Sequence, residues 1–263
     1  MIRLRKVRAL IFILPILFIL AWLLWPKQSS LSSLATIART KYSSAALENS
    51  DVHFNLYCGR IYLGQLLLNI KEGVFQGEEV YETTLDLKPP EFLRKVSGDR
   101  TGLNVFSILS QKTLLPYYFE QNDSYRKKKG KKGRIVEYQH GQLTMLRKGR
   151  VEDIEDDTRD YASLILWLMK QNYDQEMFFK STLNINRTIY LVLAKVKANS
   201  ADQDDPDQPS VVQLRIKFIE LTKDDQQKSS LSVDLYLLKV NDYYLPLFLQ
   251  FREGVLTFTV HLN

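Results

Sequence analysis

The chain has 263 residues, with 36 Lys and Arg against 30 Asp and Glu, a net charge of +6 and 45% hydrophobic residues. That length holds one large domain or two small ones with a sizeable core. A single cysteine excludes an internal disulfide framework and any multi-cysteine zinc or iron–sulfur site, and 11 Gly and 8 Pro exclude a collagen-like chain.

Arg3, Arg5, Lys6 and Arg8 open the chain without an acid, and residues 9–25 follow as an unbroken apolar run closed by Pro26. The run just reaches the lower limit of about 17 residues for a spanning helix. The pattern predicts a single-pass anchor in a bacterial inner membrane. Residues 1–8 are its cytoplasmic flank, residues 9–25 the span, and Trp22 and Trp25 lie at the outer interface. The competing expectation is a cleaved signal peptide, which leaves the domain soluble in the periplasm. On either reading the remainder is exported. Without the four flanking cations it is almost neutral, so the basic charge reports topology and local patches and no nucleic-acid partner is expected.

Residues 26–50 are rich in Ser and read as a linker. From Val52 the period becomes two, with Val52, Phe54, Leu56 and Cys58 alternating against His53, Asn55 and Tyr57. Strands are expected over 61–70 and 79–87, with turns at Lys71-Glu72-Gly73 and Gln76-Gly77. Further strand-like runs cover 114–125, 134–139 and 142–147, with a tight turn at His140-Gly141.

Asp157 and Asp160 resemble a capping box, and Tyr161, Leu164, Ile165 and Leu168 fall on one helical face. The spacing predicts one packed helix at about 158–171. Strands then resume over 188–197, 211–221, 231–238, 247–252 and 256–262, with a turn at Tyr243-Tyr244-Leu245-Pro246. About ten strands and one helix without βαβ alternation imply a mainly β exported domain over 51–263. Its expected form is a large curved antiparallel sheet or open barrel.

No nucleophile elbow, P-loop, dinucleotide fingerprint or HExxH pair is present. His53 and His261 fall on outward strand positions and His140 in a turn, so all three are expected at the surface. Cys58 falls on the inward side, where a thiol behaves as a small hydrophobe. The acids from Glu152 to Asp160 lack EF-hand spacing and suit a helix N-terminus, and Asp202, Asp204, Asp205 and Asp207 read as a surface loop. No catalytic residue, metal ligand or cofactor is expected.

The segment Arg126, Lys127, Lys128, Lys129, Lys131, Lys132 and Arg134 forms a basic tip whose chemistry suits an anionic partner. Val52, Phe54, Leu56, Phe218, Leu235, Leu237, Phe258 and Val260 line either an apolar groove or a closed core.

The order of several short motifs is also informative. It runs Phe54-x4-Gly59-x4-Gly64, Thr101-Gly102-Leu103, Leu115-Pro116 before Tyr117-Tyr118, and Asp160-Tyr161-Ala162-Ser163-Leu164. Then come Asn241-Asp242-Tyr243-Tyr244-Leu245-Pro246 and Gly254-x-Leu256. Over about residues 52–263 this order resembles a bacterial family of exported, mostly β proteins of unknown function. The resemblance implies a curved antiparallel sheet around a helix, broadly like periplasmic lipoprotein carriers, and no catalytic residue.

The expected function is therefore a non-catalytic envelope protein binding a lipid, a lipoprotein, a polymer or a protein partner. The rivals are a structural subunit of an envelope assembly and a carboxylate-dependent hydrolase.

Overall fold

The computed structural model describes residues 31–42, 51–97, 102–123, 133–185, 188–199, 210–221 and 227–263. The anchor run and its flank, Arg126 to Lys132 of the basic tip and the acidic loop at 202–207 lie outside these. Among the described residues no helix is long and apolar enough to cross a membrane.

The domain is built on one sheet of fifteen strands. In chain order these are β1 (Asp51–Cys58), β2 (Ile61–Phe75), β3 (Glu78–Lys88), β4 (Leu103–Ser110), β5 (Pro116–Asp123), β6 (Arg134–Gln139), β7 (Thr144–Arg147) and β8 (Arg150–Asp153). After these come β9 (Thr158–Arg159), β10 (Phe178–Ile185), β11 (Thr188–Asn199), β12 (Val211–Leu221), β13 (Gln227–Val240), β14 (Tyr243–Glu253) and β15 (Leu256–Leu262).

The first eight strands meander outward from β1 to one end of the sheet. The chain then starts again at the far end with β9 and meanders back, until β15 pairs with β1 at the centre. Every ladder is antiparallel except β9 with β10, which is parallel, so the expected antiparallel sheet is a mixed one at that edge.

This order forces the sheet to roll. The four residues between Asp153 of β8 and Thr158 of β9 reach at most about 17 Å. A flat sheet of this many strands is about 65 Å across at the usual strand spacing.

Among the described residues three α-helices accompany the sheet: α1 (Leu31–Tyr42), α2 (Glu91–Ser97) and α3 (Tyr161–Met169). Helix α1 occupies half of the expected Ser-rich linker. Its Ala35, Ala38 and Tyr42 are buried in one apolar cluster with Leu238, Val240, Tyr243 and Leu245. Small residues on the buried side make such a helix look like a linker in sequence.

Helix α3 begins at Tyr161, later than the expected 158, because Asp157 and Asp160 have different partners. Asp157 accepts a hydrogen bond from the Thr182 hydroxyl at 2.9 Å, beside the ladder of β9. Asp160 is the true N-cap. Its Oδ1 accepts from the Ser163 N–H at 2.8 Å, while the Ser163 hydroxyl accepts from the Asp160 N–H at 2.9 Å, a reciprocal box. The helix is apolar almost all round, and Ala162, Leu164, Leu166, Leu168 and Met169 are all buried. Such a helix belongs inside. It fills the concave side of the roll, reaching one cluster through Leu166 and Met169 and the other through Leu164 and Leu168.

Several boundaries differ from those expected. Strand β2 runs through Lys71-Glu72-Gly73 and turns only at Gln76-Gly77. The hairpin after β13 turns at Asn241-Asp242, so Tyr243 to Pro246 lie in β14, and an extra residue, Leu247, bulges opposite Tyr236 and Leu237.

Candidate functional site: an apolar mouth and a buried seam

Register decides which side chains share a face. Paired residues in an antiparallel ladder point the same way, so the row Leu56, Val260, Leu249, Leu235 and Leu214 lies on one face. The row Cys58, Phe258, Phe251, Val233 and Ile216 lies beside it. This is the concave face, which also carries Phe179 against Trp167 of α3.

All eight expected groove residues lie on this face, but they divide by depth. Val52, Phe54, Leu235 and Leu237 are core, Val52 and Leu237 fully buried. Leu56, Phe218, Phe258 and Val260 are only half-buried. The division follows the strands. At the end where β1 finishes and β15 begins, inward apolar residues remain part-exposed; at the opposite end they are packed shut.

The part-exposed set is wider than the sequence pattern. Leu249 and Phe251 of β14 join it, Phe251 stacking on Phe258 with ring centroids 4.9 Å apart. The bulge at Leu247 hides their alternation in sequence. Leu66, Leu87 and Leu103 continue the same rim across β2, β3 and β4, each opposite the next. The result is an apolar mouth at one end of the roll.

A cation stands one row inside that rim. Arg134 opens β6 opposite Gln121, which lies opposite Val105 on the concave face. Arg134 is half-buried, and its Nη1 is enclosed without a hydrogen-bond partner. Of the expected anionic-partner residues it is the one described, and it faces inward.

The second constellation is polar and buried, where the two ends of the sheet meet. The Arg147 Nη2 donates to the Asn184 Oδ1 at 2.8 Å, and the Asn184 amide donates to the Tyr138 hydroxyl at 3.3 Å. Tyr138, Met145 and Arg147 are on the concave side of β6 and β7. Asn184 points out of β10, on the side away from Leu183 and Phe179. The β6–β8 end therefore laps over the outside of the β9–β10 end, and side chains join what no ladder closes.

Beneath the lap, Arg159 donates to the Ser181 hydroxyl at 3.0 Å and to the Leu114 carbonyl at 2.7 Å, with its guanidinium 4.8 Å from the Trp167 ring. Burial lowers its pKa to about 10, which leaves it charged at neutral pH. Ser107 donates to the second carboxylate oxygen of Asp160. Burial raises the Asp160 pKa to about 6, against the opposing pull of the Ser107 and Ser163 hydrogen bonds. Each of these groups is occupied in holding α3 and the seam together.

The histidines are less exposed than expected. His261 is half-buried between Tyr57 and Phe248. His140 stacks on Tyr138, with its Nε2 2.9 Å from the Pro116 carbonyl. Burial lowers the pKa of both. Cys58 is a free thiol on the concave face, as its alternation implies. Among the described residues no group of three His, Cys, Asp or Glu is placed to hold a metal ion.

No family model matches the chain, and no curated protein matches it. Among solved structures the chain is similar to LprF from Mycobacterium bovis. That match has 8% identity and a TM-score of 0.21 and covers 89% of this chain and 91% of that one. At that TM-score the likeness carries no argument about fold or ligand.

Proposed function

We propose that this is an exported, membrane-anchored, non-catalytic binding protein whose β domain holds the apolar part of a lipid or lipid-modified partner. The observation that carries the reading is the mouth. Leu56, Phe218, Phe251, Phe258 and Val260 face into the roll yet stay half-exposed, whereas the same face is buried at the other end. A concave apolar site with a few polar groups at its edge is the usual form of a small-molecule site. Arg134, one row inside the rim, adds a cation for an anionic headgroup. The basic start and apolar run of residues 1–25 supply the export and anchoring part of the reading.

The test is extraction of the purified full-length chain, mass spectrometry of the extract, and titration with a fluorescent fatty acid. Lipid is expected in the extract, and Leu56→Asp and Phe258→Asp should each weaken probe binding about tenfold or more while leaving the far-ultraviolet circular dichroism unchanged. A chain that carries no lipid and binds no probe ends the proposal.

A further inference from the structure

We propose that the convex face of β10–β14 docks on an anionic phospholipid surface. Along these strands the residues that alternate with the buried row point outward. The outward positions carry Lys180, Lys195, Arg215, Lys217 and Arg252, all exposed. Lys195 lies directly opposite Arg215, while Lys180 and Lys217 both lie opposite Leu193. Like charges facing each other across a ladder are destabilising on their own, and an external anion offsets that cost. Among the described residues one acid, Asp234, shares these outward positions, and it is paired with Arg215 at 2.9 Å.

The other half of the convex face has the opposite sign. Asp51, Glu82, Asp86, Glu120 and Glu137 occupy outward positions on β1, β3, β5 and β6, with Lys71 and Lys88 among them. The sheet's outer surface is thus electrically divided, and only the β10–β14 side suits an anionic partner.

Two apolar side chains favour a bilayer over a soluble polyanion. Phe178 stands opposite Lys195 and is 55% exposed, and its neighbour Met177 is 58% exposed. A cationic field with exposed apolar side chains at its margin matches headgroups above acyl chains. This surface is on the opposite side of the sheet from the mouth and does not depend on what the mouth binds.

The experiment is lysine acetylation footprinting of the full-length chain by mass spectrometry. It compares vesicles of phosphatidylcholine alone with vesicles containing 30% phosphatidylglycerol, and it includes soluble polyglutamate as a third condition. With phosphatidylglycerol, Lys180, Lys195 and Lys217 should lose at least about fivefold in reactivity, in line with the usual worth of one cation near such a surface. Lys71 and Lys88 should be unchanged, and 0.5 M salt should restore the three. The comparison holds however the N-terminal segment inserts, because both vesicle types receive it equally. Phe178→Ser should reduce the protection in phosphatidylglycerol without affecting polyglutamate. Equal reactivity in the two vesicle types overturns the proposal, and so does protection by polyglutamate alone, which makes the partner an acidic polymer.

Discussion

At the scale of single residues, Asp160 combines two roles that pull in opposite directions. Its carboxylate caps α3 and accepts from Ser107, and both contacts favour the charged form. Complete enclosure favours the neutral form and outweighs them, so the group titrates at about 6. The unfolded carboxyl titrates near 4. Between these values the folded chain holds a proton that the unfolded chain releases.

The contribution of Asp160 to stability is therefore fully present below about pH 4 and is lost as pH rises through 6. Asp160→Asn keeps a good N-cap and removes the titration. In urea unfolding, the change in stability from pH 4 to pH 7.5 should differ between the two proteins by about 2 kcal/mol, with the wild type losing more. Equal pH profiles would show that Asp160 is solvated.

At the scale of elements, Gly64 shows what the sequence conceals. It stands in β2 opposite Leu56, beside the register shift at Leu56 and Tyr57, with φ at +146°. A Cβ there would meet the Lys88 carbonyl at 2.5 Å and the Pro89 Cα at 3.0 Å, which is backbone that cannot swing away. Gly59, in the preceding turn, has φ at +56° with open space around it. Gly64→Ala should therefore cost about 2–3 kcal/mol by overpacking and strain, and Gly59→Ala about 1 kcal/mol by strain alone. Thermal unfolding of the two variants separates them, and equal losses would remove the close-approach argument.

Both glycines are conspicuous in the sequence; the carbonyl that excludes a side chain from one of them is not. The same division runs through the strands. β1, β3, β12 and β15 are legible because one face is wetter than the other, and alternation follows. β10 is not, because the lapping end of the sheet covers the outer side of its second half, so that Ser181, Thr182, Leu183 and Asn184 are buried in succession. The groove residues are likewise legible as one face. Which of them close the core and which rim the mouth depends on where α3 lies, and no local pattern encodes that.

At the scale of the whole molecule, the sheet has two ends in its ladder but none in its packing. β1 and β15 pair at its centre across nearly the whole domain, so most of the chain must be in place before the roll closes. Such long-range pairing is slow to form. The Arg147–Asn184 contact then helps to hold the ends, together with the Arg159 bonds beneath it, and it joins elements that sit near opposite limits of the strand order.

Removing one partner leaves a buried polar group with its bond unmade, whereas removing both does not. Asn184→Leu strips the guanidinium of its 2.8 Å acceptor while Glu152 stays near its other nitrogen at 3.4 Å. The expected cost is about 2–4 kcal/mol. Arg147→Met leaves the Asn184 amide within reach of Tyr138 and should cost less. In the double variant the two losses should not add, with a coupling of about 1 kcal/mol or more measured by urea unfolding. Strict additivity would mean that Arg147 and Asn184 do not touch, and the width of the mouth would then rest on α3 and the Arg159 contacts beneath the lap.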